Sequence, residues 1–198
     1  MQLKKKDIQM KIQETALQLF YEKGYDKTKI SDIGKQMGMS VGNVYTYFEN
    51  KDDLFYTVVS QNTVVYFEEN LMALLEAYND YLIDAVSDDA AFELIEKHLK
   101  ILVNNYREIV IMLDKNKQTA YEGIKEKMIQ EMAEDRLKKV FDIEAIEEPV
   151  IQDMLRFYKI ICRTFIDLIL NGLKEEMTTT EERYDLCLGL IRYQAKEK

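Results

Sequence analysis

The segment Val41-Gly42-Asn43-Val44-Tyr45-Thr46-Tyr47-Phe48 carries amide, hydroxyl and phenol groups but no charge, and Lys51 follows closely behind it. Such groups on one short helix pair with hydrogen-bonding edges of another surface; they do not supply a nucleophile with its base. Gly42 destabilises a helix interior by about 1 kcal/mol relative to Ala, so a missing side chain here implies close approach of the backbone to something outside the chain. Lys51 in the first turn of a helix opposes the positive end of the macrodipole and calls for an anion beside it. A phosphate would satisfy both the ammonium and the exposed amides of that helix start. Asp52 and Asp53 complement the same dipole and support the rival reading of a solvated turn.

Other chemistry is hard to assemble. His98 is the single His, and Leu94 and Ile95 stand where a Glu-x-x-His metal pair needs a carboxylate. Cys162 and Cys187 lack partners at metal-ligand spacing and read as buried thiols. The pairs Glu68-Glu69, Asp88-Asp89 and Glu175-Glu176 diverge around a helix and read as solvated faces. No phosphate loop, serine-nucleophile turn or dinucleotide fingerprint occurs. No enzyme activity, metal or cofactor is expected.

The elements that must present the 41–51 segment are helical. One Pro and seven Gly in 198 residues, with abundant Leu, Ile, Glu, Lys and Met, suit long helices and not sheets with tight turns. Periodicity predicts a first helix from Asp7 to Lys23, stopped at Gly24, and a second from an N-cap at Thr28 to Met37. Gly38-Met39-Ser40 forms a corner, and the third helix covers Val41 to Phe48. Asn50 caps a long fourth helix to about Asn79, with Leu54, Val58, Val65, Leu71, Leu74 and Leu75 as its apolar stripe. Further helices are predicted over 88–104, 106–114, 118–140, 149–172 and 180–195, with Pro149 in a first turn and Gly172 at an end. The expected fold is all-α with about nine helices: a three-helix head over residues 1–50, continuous through the fourth helix with a larger body over 51–198.

The net charge of -9 is unevenly spread: residues 1–60 hold nine Lys and eight acids, and the remainder holds 18 basic and 28 acidic residues. A polyanionic partner would therefore be confined to the amino-terminal part, because the acidic remainder repels it. No run of about 18 uncharged apolar residues occurs, and MQLKKKDIQMKIQ lacks the apolar core of a secretory signal. A cytoplasmic protein without membrane contact is expected.

A short helix, a glycine-containing corner and a second short helix make a helix-turn-helix pattern, whose second helix can enter a major groove. The run ETALQLFYEKGYDKTKISDIGKQMGMSVGNVYTYFENKDDLF, residues 14–55, resembles the DNA-binding head of the TetR family. The shared pattern is an Ala and Leu-Phe on the first helix, Gly-Tyr, Thr, Ile, a Gly-Met-Ser corner, Gly, Tyr, Phe, and Lys with Leu-Phe. The resemblance implies phosphate contacts from Thr28, Tyr45 and Lys51, with Val41, Gly42, Asn43, Thr46 and Tyr47 facing base edges or nearby backbone. Asn43 suits adenine and Val41 a thymine methyl. Val44 and Phe48 read as core. Many relatives carry Lys or Arg at position 41 and His at position 47, and this chain has neither.

The resemblance also implies a homodimer, here through residues 149–172 and 180–196, on palindromic double-stranded operator DNA. The body's aromatic and Met side chains, among them Tyr66, His98, Met112, Met128, Met154 and Tyr158, suit a pocket for a small apolar or aromatic effector, although core packing is the blander reading for each. The implied function is a transcriptional repressor released by that effector. The alternatives are an activator or effector-free regulator, and a helical ligand-binding protein whose head does not read DNA.

Overall fold

A computed structural model describes residues 2–83, 85–142 and 146–195, and the side chains of these from residue 5 to residue 194. Among the described residues the secondary structure is helical and no strand occurs. The ten helices among the described residues are α1 (Gln2–Lys23), α2 (Ile30–Met37), α3 (Val41–Tyr45), α4 (Lys51–Val58), α5 (Gln61–Leu82), α6 (Asp88–Asn104), α7 (Tyr106–Asp114), α8 (Ile124–Val140), α9 (Glu148–Lys174) and α10 (Thr180–Ala195). Among the described residues no helix is long and apolar enough to cross a membrane.

The chain packs into two compact units, one of Met1–Phe67 with Arg107–Glu122 and one of Glu68–Tyr106 with Gly123–Lys198. The boundary drawn from the sequence at 50/51 falls inside the first of these. In that unit Ile12, Ala16, Leu19 and Phe20 of α1 are buried, as their spacing predicts, together with Ile33, Val44, Phe48, Leu54 and Phe55. Phe55 is the aromatic centre: the rings of Phe20 and Tyr25 meet it edge-on at 5.3 and 4.9 Å. In the second unit α9 packs on α8 and α10, and α10 on α6. Its core includes Ile95, Leu99, Met128, Met132, Phe165, Ile169, Leu188 and Ile191.

Helix ends shift, with α1 starting at Gln2 instead of Asp7 and α3 ending at Tyr45 instead of Phe48, and three larger features depart from the sequence reading. The long fourth helix is broken, with α4 ending at Val58 and α5 starting at Gln61. Ser60 starts the new helix, its hydroxyl accepting the Thr63 N–H at 3.2 Å. That competition with the backbone is what makes Ser a helix-start residue. The break resets the helical phase: Leu54, Leu71, Leu74 and Leu75 are buried as expected, but Val65 is 43% exposed and Val64 and Phe67 point inward instead.

The helix expected from 118 starts only at Ile124, because the chain first makes a tight turn with Gln118 at φ 66° and Gly123 at φ 83°. Asn116 builds that turn by donating through its amide to the Tyr121 carbonyl at 2.7 Å. Gly172 does not end α9, which continues to Lys174. A Cβ on Gly172 would stand 2.7 Å from Cys187 Sγ, so this glycine permits close packing of α10.

Candidate nucleic-acid interface

The corner between α2 and α3 is built almost entirely by local hydrogen bonding. α2 ends on Gly38, left-handed at φ 66°, and α3 starts from Ser40, whose hydroxyl accepts the Asn43 N–H at 3.2 Å. Both residues serve as their types predict. The chain turns so tightly that Met39 N–H reaches the Gly34 carbonyl at 2.8 Å. A Cβ on Gly34 would stand 2.8 Å from the Met39 carbonyl oxygen, closer than real side chains approach. Sequence reasoning passed over Gly34, since a glycine inside a short helix carries no signal of what lies beyond it.

With Val44 and Phe48 buried, Val41, Gly42, Asn43, Tyr45 and Thr46 are exposed and Tyr47 is half-buried. These are the positions read from the sequence as facing outward. A Cβ on Gly42 would meet only Ser40 Oγ, at 4.0 Å, so no close packing within the protein calls for its absence. The Thr46 hydroxyl donates to the Gly42 carbonyl at 3.2 Å, which leaves its oxygen lone pairs outward. The result is a short uncharged face that offers amide, phenol and hydroxyl groups at a point of minimal backbone bulk.

Thr28 takes a different role from the one expected. Its side chain is 1% exposed, and its hydroxyl turns inward to the Gly24 carbonyl at 2.7 Å, near the end of α1. α2 has Lys29, not Thr28, at its N-cap. A hydroxyl that closes one helix is unavailable to open the next or to reach an external phosphate, so Thr28 is corrected from contact residue to internal brace. The Asp32 carboxylate accepts the Lys29 N–H at 3.3 Å, and this bond, with help from Lys23, holds its pKa below the usual carboxylate value.

Lys51 is half-buried and bonded inward: its ammonium donates to the carbonyls of Tyr25 at 2.7 Å and Thr28 at 3.0 Å. Desolvation lowers its pKa, partly offset by Asp52 and Asp26. The anion expected beside this cation is therefore met in part by two carbonyl dipoles and the Tyr25 ring. Behind it, Asn50 Oδ1 accepts the Asp53 N–H at 2.8 Å and the Asp53 carboxylate accepts the Glu49 N–H at 2.9 Å. This reciprocal cap fixes the start of α4.

Residues 12–58 match the model for bacterial regulatory proteins of the tetR family. The head is a TetR-family head. The chain is 31% identical over 103 residues to an uncharacterized HTH-type transcriptional regulator, YvdT, of Bacillus subtilis, covering 51% of this chain and 52% of that one. It is 32% identical over 97 residues to the biofilm operon icaADBC HTH-type negative transcriptional regulator IcaR of Staphylococcus epidermidis, covering 47% and 50%. To the fatty acid metabolism regulator protein of B. subtilis it is 25% identical over 103 residues, covering 52% and 49%. The chain thus spans about half the length of the curated relatives it matches. A solved structure of the fatty acid degradation regulator FadR from Bacillus halodurans aligns at a TM-score of 0.44 and 17% identity over 94% of each chain.

The TetR-family head includes α4 and so brings Tyr45, Lys51 and the α3 face into one unit. The residues expected to line an effector pocket do not share a unit: Tyr66 and Met112 belong to the first, and His98, Met128, Met154 and Tyr158 to the second. Tyr66 is 46% exposed, whereas Met112 and Met128 are buried. His98 bonds through Nδ1 to the Asn70 side-chain oxygen at 2.9 Å, and burial, with Lys97 nearby, lowers its pKa and so favours the neutral ring. Of the segments expected to join two protomers, α9 exposes Phe157 at 61% and Ile160 at 64%, and α10 exposes Tyr193. The far limit of that expectation, Lys196, lies outside the described residues.

Proposed function

We propose that this chain is a dimeric transcriptional repressor whose TetR-family head reads operator DNA and is released by a small apolar effector. The carrying observation is the α3 face: Val41, Gly42, Asn43, Tyr45 and Thr46 are exposed together, and Gly42 leaves open space where a side chain would stand. In the major groove Asn43 pairs with an adenine edge and Val41 packs on a thymine methyl. Tyr45 reaches phosphate, and the Lys51 ammonium, with one N–H left beyond the two carbonyl bonds, adds a second phosphate contact.

Dimerisation is supported by the exposed apolar side chains Phe157 and Ile160 of α9 and Tyr193 of α10, since exposed apolar groups that cluster mark association surfaces. The negative regulator among the relatives supports repression, and the fatty acid metabolism regulator supports an apolar effector. His98, Met128, Met154 and Tyr158 share the second unit and are the residues proposed to meet that effector. Repressor activity, the palindromic operator and cytoplasmic location belong to this same reading.

The experiment is a gel shift of the full chain on duplex DNA flanking its own gene, repeated across salt concentrations. Specific retardation with a steep salt dependence is expected, because phosphate contacts release counterions. Equal weak binding to flanking and scrambled duplexes would favour a helical ligand-binding protein whose head does not read DNA.

A further inference from the structure

We infer that Tyr121 is a positioning residue for the head: its hydroxyl donates to the Val59 carbonyl at 2.9 Å and so holds the break from which α5 leaves the head. The inference rests on the DNA-binding dimer proposed above. Val59 is fully buried, with φ -118° and ψ 80°, outside the helical range. The Thr63 N–H that would have closed a continuous helix onto its carbonyl goes to Ser60 Oγ instead. A buried carbonyl deprived of its helical partner needs another donor, and Tyr121 supplies it from a distant part of the chain.

Tyr121 is not an isolated contact. The turn that carries it touches the head at two more places: the Lys115 carbonyl accepts the Tyr25 N–H at 3.0 Å, and the Ala120 N–H donates to the Tyr56 hydroxyl at 2.8 Å. The Tyr121 ring also meets the Tyr56 ring edge-on at 5.5 Å. The 115–121 turn therefore grips the α1–α2 connection, α4 and the α4–α5 break together. Burial raises the Tyr121 phenol pKa, which keeps the hydroxyl protonated and able to donate. A dimer with two heads must match successive major grooves, about 34 Å apart. The direction in which α5 leaves each head bears on that match, and the face of α3 does not depend on it.

The test uses full-length protein and duplexes selected from random sequence by the wild type, cut either to two half-sites or to one. Tyr121→Phe removes the hydroxyl and keeps the ring. Expected are a roughly tenfold or greater loss on the two-half-site duplex, one-half-site affinity within about twofold of wild type, an unchanged salt slope, and faster amide exchange at Thr63 and Val64. Tyr56→Phe, which removes the acceptor for Ala120, should give the same pattern more weakly. Equal losses on both duplexes would overturn positioning in favour of damage to the head, and wild-type affinity on both would overturn it outright. Failure of the wild type to select any duplex would remove the DNA reading and this role with it. That failure is distinguishable, since it appears before any variant is made.

Discussion

The Lys51 ammonium lies 2.7 Å from the Tyr25 carbonyl oxygen and 3.8 Å from the centre of the same residue's ring. Tyr25 in turn donates its hydroxyl to Asp52, the residue after Lys51. The connection between α1 and α2 is thus tied to the start of α4 by a cation, an aromatic face and a carboxylate. Lys51→Ala should lower stability by about 1–3 kcal/mol, because two inward carbonyls lose their donor, or about 2–4 °C in melting temperature per kcal/mol at this chain length. It should also weaken all duplexes alike. A variant that melts with the wild type yet binds DNA less tightly would leave Lys51 as a phosphate contact alone.

Two glycines of the head separate packing from recognition. Gly42→Ala adds a methyl into open space and should stabilise the fold by about 0.5–1 kcal/mol while lowering specific DNA affinity. Gly34→Ala places its methyl against the Met39 carbonyl and should destabilise by about 1–3 kcal/mol. Thermal melts run beside gel shifts distinguish them. Early melting of Gly42→Ala with DNA binding intact would assign that glycine to packing.

The exposed apolar side chains of α9 give a test of assembly. Phe157→Asp with Ile160→Asp should convert a dimer to a monomer without loss of helix, since both side chains are more than half exposed within the protomer. Sedimentation and far-ultraviolet circular dichroism check the two halves of that statement. A dimer that survives the double substitution would move the interface elsewhere.

Glu108, in the first turn of α7, has its pKa raised by desolvation, with a backbone hydrogen bond and Arg107 opposing the shift. A carboxyl whose folded pKa exceeds its unfolded value stabilises the fold when protonated. Its contribution is complete below the unfolded pKa and is lost as pH rises through the folded pKa. Glu108→Gln should therefore raise the melting temperature at pH 7 and change it little at pH 4. An equal effect at both pH values would show that the carboxyl does not titrate with folding.

The all-α class, the helix-turn-helix and most caps of the head are legible in the sequence because they depend on neighbours in the chain. Gly24, Gly38, Ser40 and Asn50 all act as their types dictate, through bonds closed within a turn. Val44 and Phe48 are buried by the same helical spacing that turns Asn43 and Tyr45 outward. The break at Ser60 is hidden by the apolar residues on either side of it, which together read as the stripe of one long helix.

Only the tertiary structure decided what Thr28, Gly34, Lys51 and Tyr121 do. Thr28 and Lys51 have side chains equally suited to an external phosphate and to an internal carbonyl, and the folded chain supplies carbonyls at 2.7 Å to each. Gly34 matters because the chain folds back over it at Met39, and Tyr121 because a turn 62 residues away from Val59 arrives beside an unpaired carbonyl. Local hydrogen bonds and helical periodicity are written in consecutive residues; which polar group satisfies a buried partner is fixed only when distant segments meet.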